Sequence, residues 1–145
     1  PVWVYLVAEE PGLIFPTAQV GFASGTLRIL ALLTALLGES DASLIGVEEP
    51  ENHVHPLALQ GLAEYLRFAS ESVQLLITTH SPLLVSYLDD PEAMVAVRRD
   101  ESGVPRAKRE EDPAGLRKAL QEAGIKLGDH YESRGFGSPL ACTSE

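Results

Sequence analysis

Leu44-Ile-Gly-Val-Glu-Glu-Pro-Glu-Asn-His-Val-His-Pro56 is the stretch on which the fold turns. Its first four residues, Leu44 to Val47, form a short apolar run of the length and type of a buried strand. Two carboxylates, Glu48 and Glu49, stand side by side where that strand ends. Pro50 stops the strand, and Pro56 opens the next helix. Adjacent carboxylates at the end of a buried parallel strand repel each other, and burying them is costly without a positive partner. A magnesium ion with a bound phosphate, or an attacking water that needs a base, meets that demand. A solvated acidic turn after an edge strand is the plain alternative for Glu-Glu-Pro taken alone.

Downstream, Gln74-Leu-Leu-Ile-Thr-Thr-His80 is a second apolar strand with a polar end, followed by Ser81-Pro82 and a helix capped by Ser81. Upstream, Phe22-Ala-Ser-Gly-Thr26 leads into Leu-Arg-Ile-Leu-Ala-Leu-Leu-Thr-Ala-Leu-Leu37. That helix is apolar almost all round, which predicts burial, with Gly38 as its C-cap and Arg28 as its one charge, near the surface. The N-terminus of such a helix offers free N–H groups and positive dipole character, which suit a phosphate. A capped core helix is the bland reading of the same residues.

In this order and spacing the three stretches resemble the ATP-binding-cassette-like ATPases of the SMC, RecF and overcoming-lysogenisation-defect type, a branch of the AAA family of ATP-binding proteins. The resemblance runs from about Gly21 to Pro82 and implies ATP and magnesium as cofactors. It makes Ser24, Gly25 and Thr26 the signature segment, which faces ATP bound by a partner subunit. Aligned on Gly25, Ala23 takes the place where the family usually has a serine on the γ-phosphate, and Ser24 comes one position later. Leu44 to Val47 becomes the Walker B strand. Glu48 matches the carboxylate that orients magnesium through water, and Glu49 the general base for the attacking water. Glu51 to His55 corresponds to the D-loop, with Asn52 and His55 beside the nucleotide. His80 falls at the switch histidine that contacts the γ-phosphate; a lone histidine at a strand end is otherwise a structural hydrogen-bonder.

The implied fold is α/β, a partial P-loop NTPase parallel sheet flanked by helices, with a C-terminal β-hairpin and helix. A P-loop ATPase also needs a glycine-rich loop ending in Gly-Lys-Ser/Thr. None is present, and the three lysines, Lys108, Lys118 and Lys126, lack that context. In the resembled family that loop lies in an N-terminal lobe, so residues 1–124 look like the C-terminal lobe and residues 125–145 like a Gly- and Ser-rich tail. The expected partners are the lobe bearing the phosphate loop, on the same or another chain, and a second copy, with DNA reached through the complete protein. By itself the chain is expected not to turn over ATP. DNA repair, segregation or phage defence are the roles the analogy suggests.

Two other classes compete. A metal-dependent hydrolase would use the His53-x-His55 pair with Glu48, Glu49 or His80. A non-catalytic remnant of such an ATPase would act only through oligomerisation, which the missing phosphate loop favours. A serine hydrolase is weaker still, because Gly21-Phe-Ala-Ser-Gly25 has its serine one place too late for the nucleophile elbow.

The remaining segments are simpler. Val2 to Ala8 reads as a strand ended by Glu9-Glu-Pro-Gly12, and Leu13 to Phe22 as a loop or short extended piece. Pro56 to Ser70 is a helix with Leu59, Leu62 and Leu66 as its apolar stripe and Ala58 and Tyr65 beside it. Ala93 to Arg99 and Arg106 to Glu110 pair as a hairpin whose basic residues are interleaved with acids, a solvated face more than a DNA patch. Pro113 to Ala123 is an amphipathic helix ended by Gly124. The 145 residues suffice for a core, and 45% hydrophobic content is ordinary for a globular chain. A net charge of -10 argues against this piece gripping a nucleic-acid backbone by itself. The single cysteine, Cys142, cannot form an internal disulfide, which with the absence of a signal peptide predicts the cytoplasm. Ile29 to Leu37, the longest apolar run, is far short of the roughly 20 residues of a membrane span. The start at Pro1 instead of Met suggests a piece of a longer protein.

Overall fold

The computed structural model describes residues 5–9, 11–38, 41–100 and 102–134. Cys142, most of the expected tail and the first half of the predicted Val2–Ala8 strand lie outside them. The chain divides into two compact units, one running to Thr78 and the other from Thr79.

The first unit opens with β1 (Val7–Ala8) and β2 (Thr17–Ala18), a short antiparallel pair, and a single 3-10 turn at Gln19–Gly21. Helix α1 (Ser24–Leu37), strand β3 (Leu44–Glu48), helix α2 (Pro56–Ser70) and strand β4 (Gln74–Thr78) follow. β3 and β4 pair in parallel, from Leu44 opposite Gln74 to Glu48 opposite Thr78. The crossover between them is α2, as a parallel connection requires. Pro56 sits in its first turn, and Leu59, Leu62, Ala63, Leu66 and Ala69 are buried at helical spacing. Tyr65, expected beside that stripe, is 47% exposed, and Ala63 and Ala69 complete the buried face.

Two predicted burials are corrected. An apolar helix such as α1 is expected to be covered all round, yet Leu36 is its only fully buried residue and Leu27, Leu30 and Leu37 are exposed. Helix α1 packs against α2. The β3–β4 sheet is one-sided. Val47 is buried and Ile45, Leu75 and Ile77 are half-buried, while Leu44 (52%) and Leu76 (61%) stand exposed on the opposite face. Parallel sheets ordinarily have both faces covered. Gly38 does end α1, but with an extended backbone, not a left-handed one. Glycine is required there because a Cβ would collide with the carbonyl oxygen of Thr34.

The second unit holds α3 (Pro82–Leu88), the hairpin β5 (Val95–Arg99) and β6 (Pro105–Arg109), α4 (Pro113–Ala123) and α5 (Leu127–Arg134). Ser81 Oγ accepts from Leu84 N and Asp112 Oδ1 from Gly115 N, so α3 and α4 each open on a side-chain cap followed by proline. Val85, Leu116, Leu120 and Leu127 form the core, with Met94, Ala96 and Tyr131 around it. In the hairpin turn, the Ser102 hydroxyl and then the Arg106 guanidinium hold the Asp100 carboxyl below its usual range. Arg106 is thereby committed to an ion pair within the turn.

Helix α5 begins inside the stretch read as a loose tail. Leu127 and His130 are buried, and Gly128 lies so close to the Pro82 carbonyl that a Cβ would overlap it. Ordered structure therefore continues well past Gly124, to Arg134.

Candidate functional site at the C-terminal ends of β3 and β4

In open α/β sheets ligands bind beyond the carboxyl ends of the strands. Glu48 is the last residue of β3, on the exposed face with Leu44 and Gly46. The next residue abandons the strand. Glu49 adopts a φ of 42°, in the left-handed region that non-glycine residues rarely occupy. Its N–H still donates to Thr78 O at 2.8 Å, extending the ladder by one bond. The two carboxylates are thus separated by strand alternation and then by the backbone reversal, one exposed and the other half-buried.

The loop after them is tightly tied. Asn52 N donates to Glu49 O at 3.1 Å, Asn52 Nδ2 donates to the Glu49 carboxylate, and Val54 N donates to Glu51 O at 3.0 Å. Pro50 and Val54 are buried beneath it. His53 has a φ of 64°, a second non-glycine residue in the left-handed region only a few positions on. Such conformations persist where the surroundings over-determine them, and they cluster at functional loops.

The first turn of α1 presses on this loop. A Cβ added at Gly25 would run into the carbonyl oxygen of His53, so only glycine permits the approach. Ala23 is the N-cap and supplies no side-chain bond to the helix. Ser24 and Thr26 are exposed in that first turn. One turn on, Arg28 Nη2 donates to the carbonyls of both Glu48 and Glu49, at 2.8 Å each. Arg28, expected near the surface as an isolated charge, is instead half-buried and reaches back to the end of β3. No spacing rule marks a side chain that hydrogen-bonds main-chain carbonyls so distant in sequence; its standing as the sole charge in an apolar helix was the available signal.

Gly25, Arg28, Glu48, Glu49, Asn52 and His53 therefore come together. His55 does something different, because its Nδ1 accepts from Leu57 N at 3.2 Å and so caps α2. His80 belongs to the second unit. Thr79 Oγ1 accepts from Ser81 N at 2.9 Å, which fixes the turn in which His80 is exposed. Among the described residues no three His, Cys, Asp or Glu residues are placed to hold a metal ion. Magnesium asks less of a protein, one or two carboxylates with the rest water and phosphate, and the exposed Glu48 fits that demand.

Replacing Gly25 by alanine tests the close approach. In an unconstrained helix that change stabilises by up to about 1 kcal/mol. Here the collision with His53 predicts the opposite sign, a loss of about 1–3 kcal/mol, typical of overpacking. Urea unfolding followed by circular dichroism reads it; an unchanged or raised midpoint contradicts the packing.

A family described as "AAA domain, putative AbiEii toxin, Type IV TA system" matches residues 4–86. No curated protein matches the chain. A solved structure from work on "Structural biochemistry of ATP-driven dimerization and DNA stimulated activation of SMC ATPases" is similar over 84% of this chain and 73% of its own, at a TM-score of 0.60 and 16% identity. That likeness bears on fold alone and agrees with the α/β, P-loop-type reading.

Proposed function

The chain belongs to this AAA-domain family, and from that premise we propose that it is the C-terminal lobe of an ATPase that closes around ATP as a dimer. The carrying observation is the Glu48–Glu49 pair at the end of a parallel strand, with the glycine-opened helix start of α1 lodged against the loop that follows. In this reading β3 is the Walker B strand, and Glu48 would be the residue that holds magnesium. The ion, when bound, neutralises charge developing on the phosphate oxygens. Glu49 takes the proton of the attacking water, and Asn52 fixes its carboxylate. Ser24, Gly25 and Thr26 present helix N–H groups to the γ-phosphate held by the partner. His80 serves as the γ-phosphate sensor. Asn52 and His55 act on the nucleotide indirectly, by shaping the loop and by capping α2.

The phosphate loop belongs to a lobe these 145 residues do not include, and that lobe covers the bare face of β3–β4 and the outer side of α1. The exposed Leu44, Leu76, Leu27 and Leu30 support this. The output is work on DNA, in repair, segregation or defence. The toxin named in the family's description favours defence, and the DNA stimulation named for the SMC relative favours DNA as the partner. No described helix is long and apolar enough to cross a membrane.

A phosphate-release assay tests the assignment. The full-length protein should hydrolyse ATP only with magnesium, and the 145-residue chain alone should not. Magnesium-dependent turnover by the isolated chain, abolished by Glu49→Gln, would show that no second lobe is needed.

A further inference from the structure

The backbone of Glu49 is held in an unfavourable region, and one side chain supplies much of the restraint. We propose that Arg28 is a positioning residue: its guanidinium fixes the Glu48–Glu49 main chain so that the Glu49 carboxylate meets the attacking water. The inference rests on the proposed role of Glu49 as base.

Arg28 Nη2 spends its two hydrogens on two successive carbonyls, Glu48 O and Glu49 O, both at 2.8 Å. These flank the residue with φ of 42°, so the pair of bonds clamps the peptide on each side of it. Asn52 N also donates to Glu49 O, and Glu49 N is tied to Thr78 O. The residue is thus held by bonds to its own N–H, its carbonyl and its carboxylate, with Arg28 acting from a different element. The arrangement is not optimised for Arg28 itself, because its buried Nε has no hydrogen-bond partner. Orphaned buried donors are rare and costly, and they recur where geometry serves function. Because Arg28 lies one turn beyond Gly25, whose surroundings require close contact with His53, the start of α1 and the end of β3 form one braced unit.

The test uses the full-length protein and steady-state ATP hydrolysis. Arg28→Gln removes the charge and shortens the side chain away from the two carbonyls, and kcat should fall about tenfold or more, with KM for ATP changed less than about threefold, as expected of a group acting on the chemical step. Arg28→Lys keeps the charge and a nitrogen with hydrogens to donate but not the planar guanidinium that sets their direction, and its kcat should lie between the two. If Arg28→Gln does not fold, Arg28→Lys carries the test: an unchanged melting temperature with reduced kcat supports the role, and wild-type kcat overturns it. In a Glu49→Gln background Arg28→Gln should cost nothing further, because it acts through Glu49. Wild-type kcat in Arg28→Gln, a rise in KM alone, or additive losses in the double variant overturn the inference while leaving the ATPase reading intact. Absence of magnesium-dependent turnover in the unmutated protein overturns both.

Discussion

Glu49→Gln in the full-length protein should lower ATP turnover by about 10²–10⁴-fold, the usual range for loss of a general base. The change should leave the loop standing. A glutamine side chain keeps an oxygen that accepts from Asn52 Nδ2, and the backbone bonds to Thr78 and Arg28 do not involve the carboxylate. Melting temperature and ATP affinity should therefore stay near those of the unmutated protein, which separates a catalytic loss from a folding one. Glu48→Gln is the control. Glu48 is the exposed carboxylate, and if it is the magnesium-side group proposed above, its loss should raise the magnesium concentration needed for turnover. The discriminating measurement is kcat against magnesium for both variants. Wild-type kcat in Glu49→Gln, or equivalent magnesium dependence in the two, contradicts the division of labour.

His80→Ala should lower kcat by about 10²–10³-fold, the typical cost of removing one donor that stabilises developing transition-state charge. Turnover depends on interactions stronger in the transition state than in the ground state, so ATP affinity should change little. The turn around His80 is held by Thr79 Oγ1 and by the Ser81 cap of α3, neither of which uses the imidazole. Equilibrium nucleotide binding and steady-state hydrolysis, measured on the same preparation, decide it. Normal kcat with a much weakened ATP Kd would make His80 a binding residue instead.

Much of this fold was legible because its boundaries are written in local chemistry. Helices α2, α3 and α4 each begin with proline, α3 behind the expected Ser81 cap, and α2 and α4 match their expected spans, Pro56 to Ser70 and Pro113 to Ala123. Strands β3 and β4 announce themselves as apolar runs ending in polar residues. What failed was burial. An apolar helix such as α1 predicts that something covers it, and composition cannot say whether the cover lies in the same residues. Helix α5 was missed because Gly128, Asp129, Glu132 and Ser133 look like a tail, and the burial of Leu127 and His130 depends on a long-range fit against α3. In the candidate site the carboxylates, Gly25 and Asn52 could be put forward as candidates from their order along the chain. The Arg28 bonds, the reversed backbone at Glu49 and the capping use of His55 could not, because each is a property of geometry.

The central claim is that ATP is sandwiched between two copies, with the start of α1 closing over the partner's nucleotide. A hydrolysis-stalled protein should accumulate in that closed form. Full-length Glu49→Gln, run on a sizing column coupled to light scattering with and without MgATP, measures this most directly. A monomer is expected without nucleotide and a dimer with MgATP, and the dimer should be lost when Gly25→Ala is added. A Glu49→Gln protein that stays monomeric while saturated with MgATP contradicts the claim.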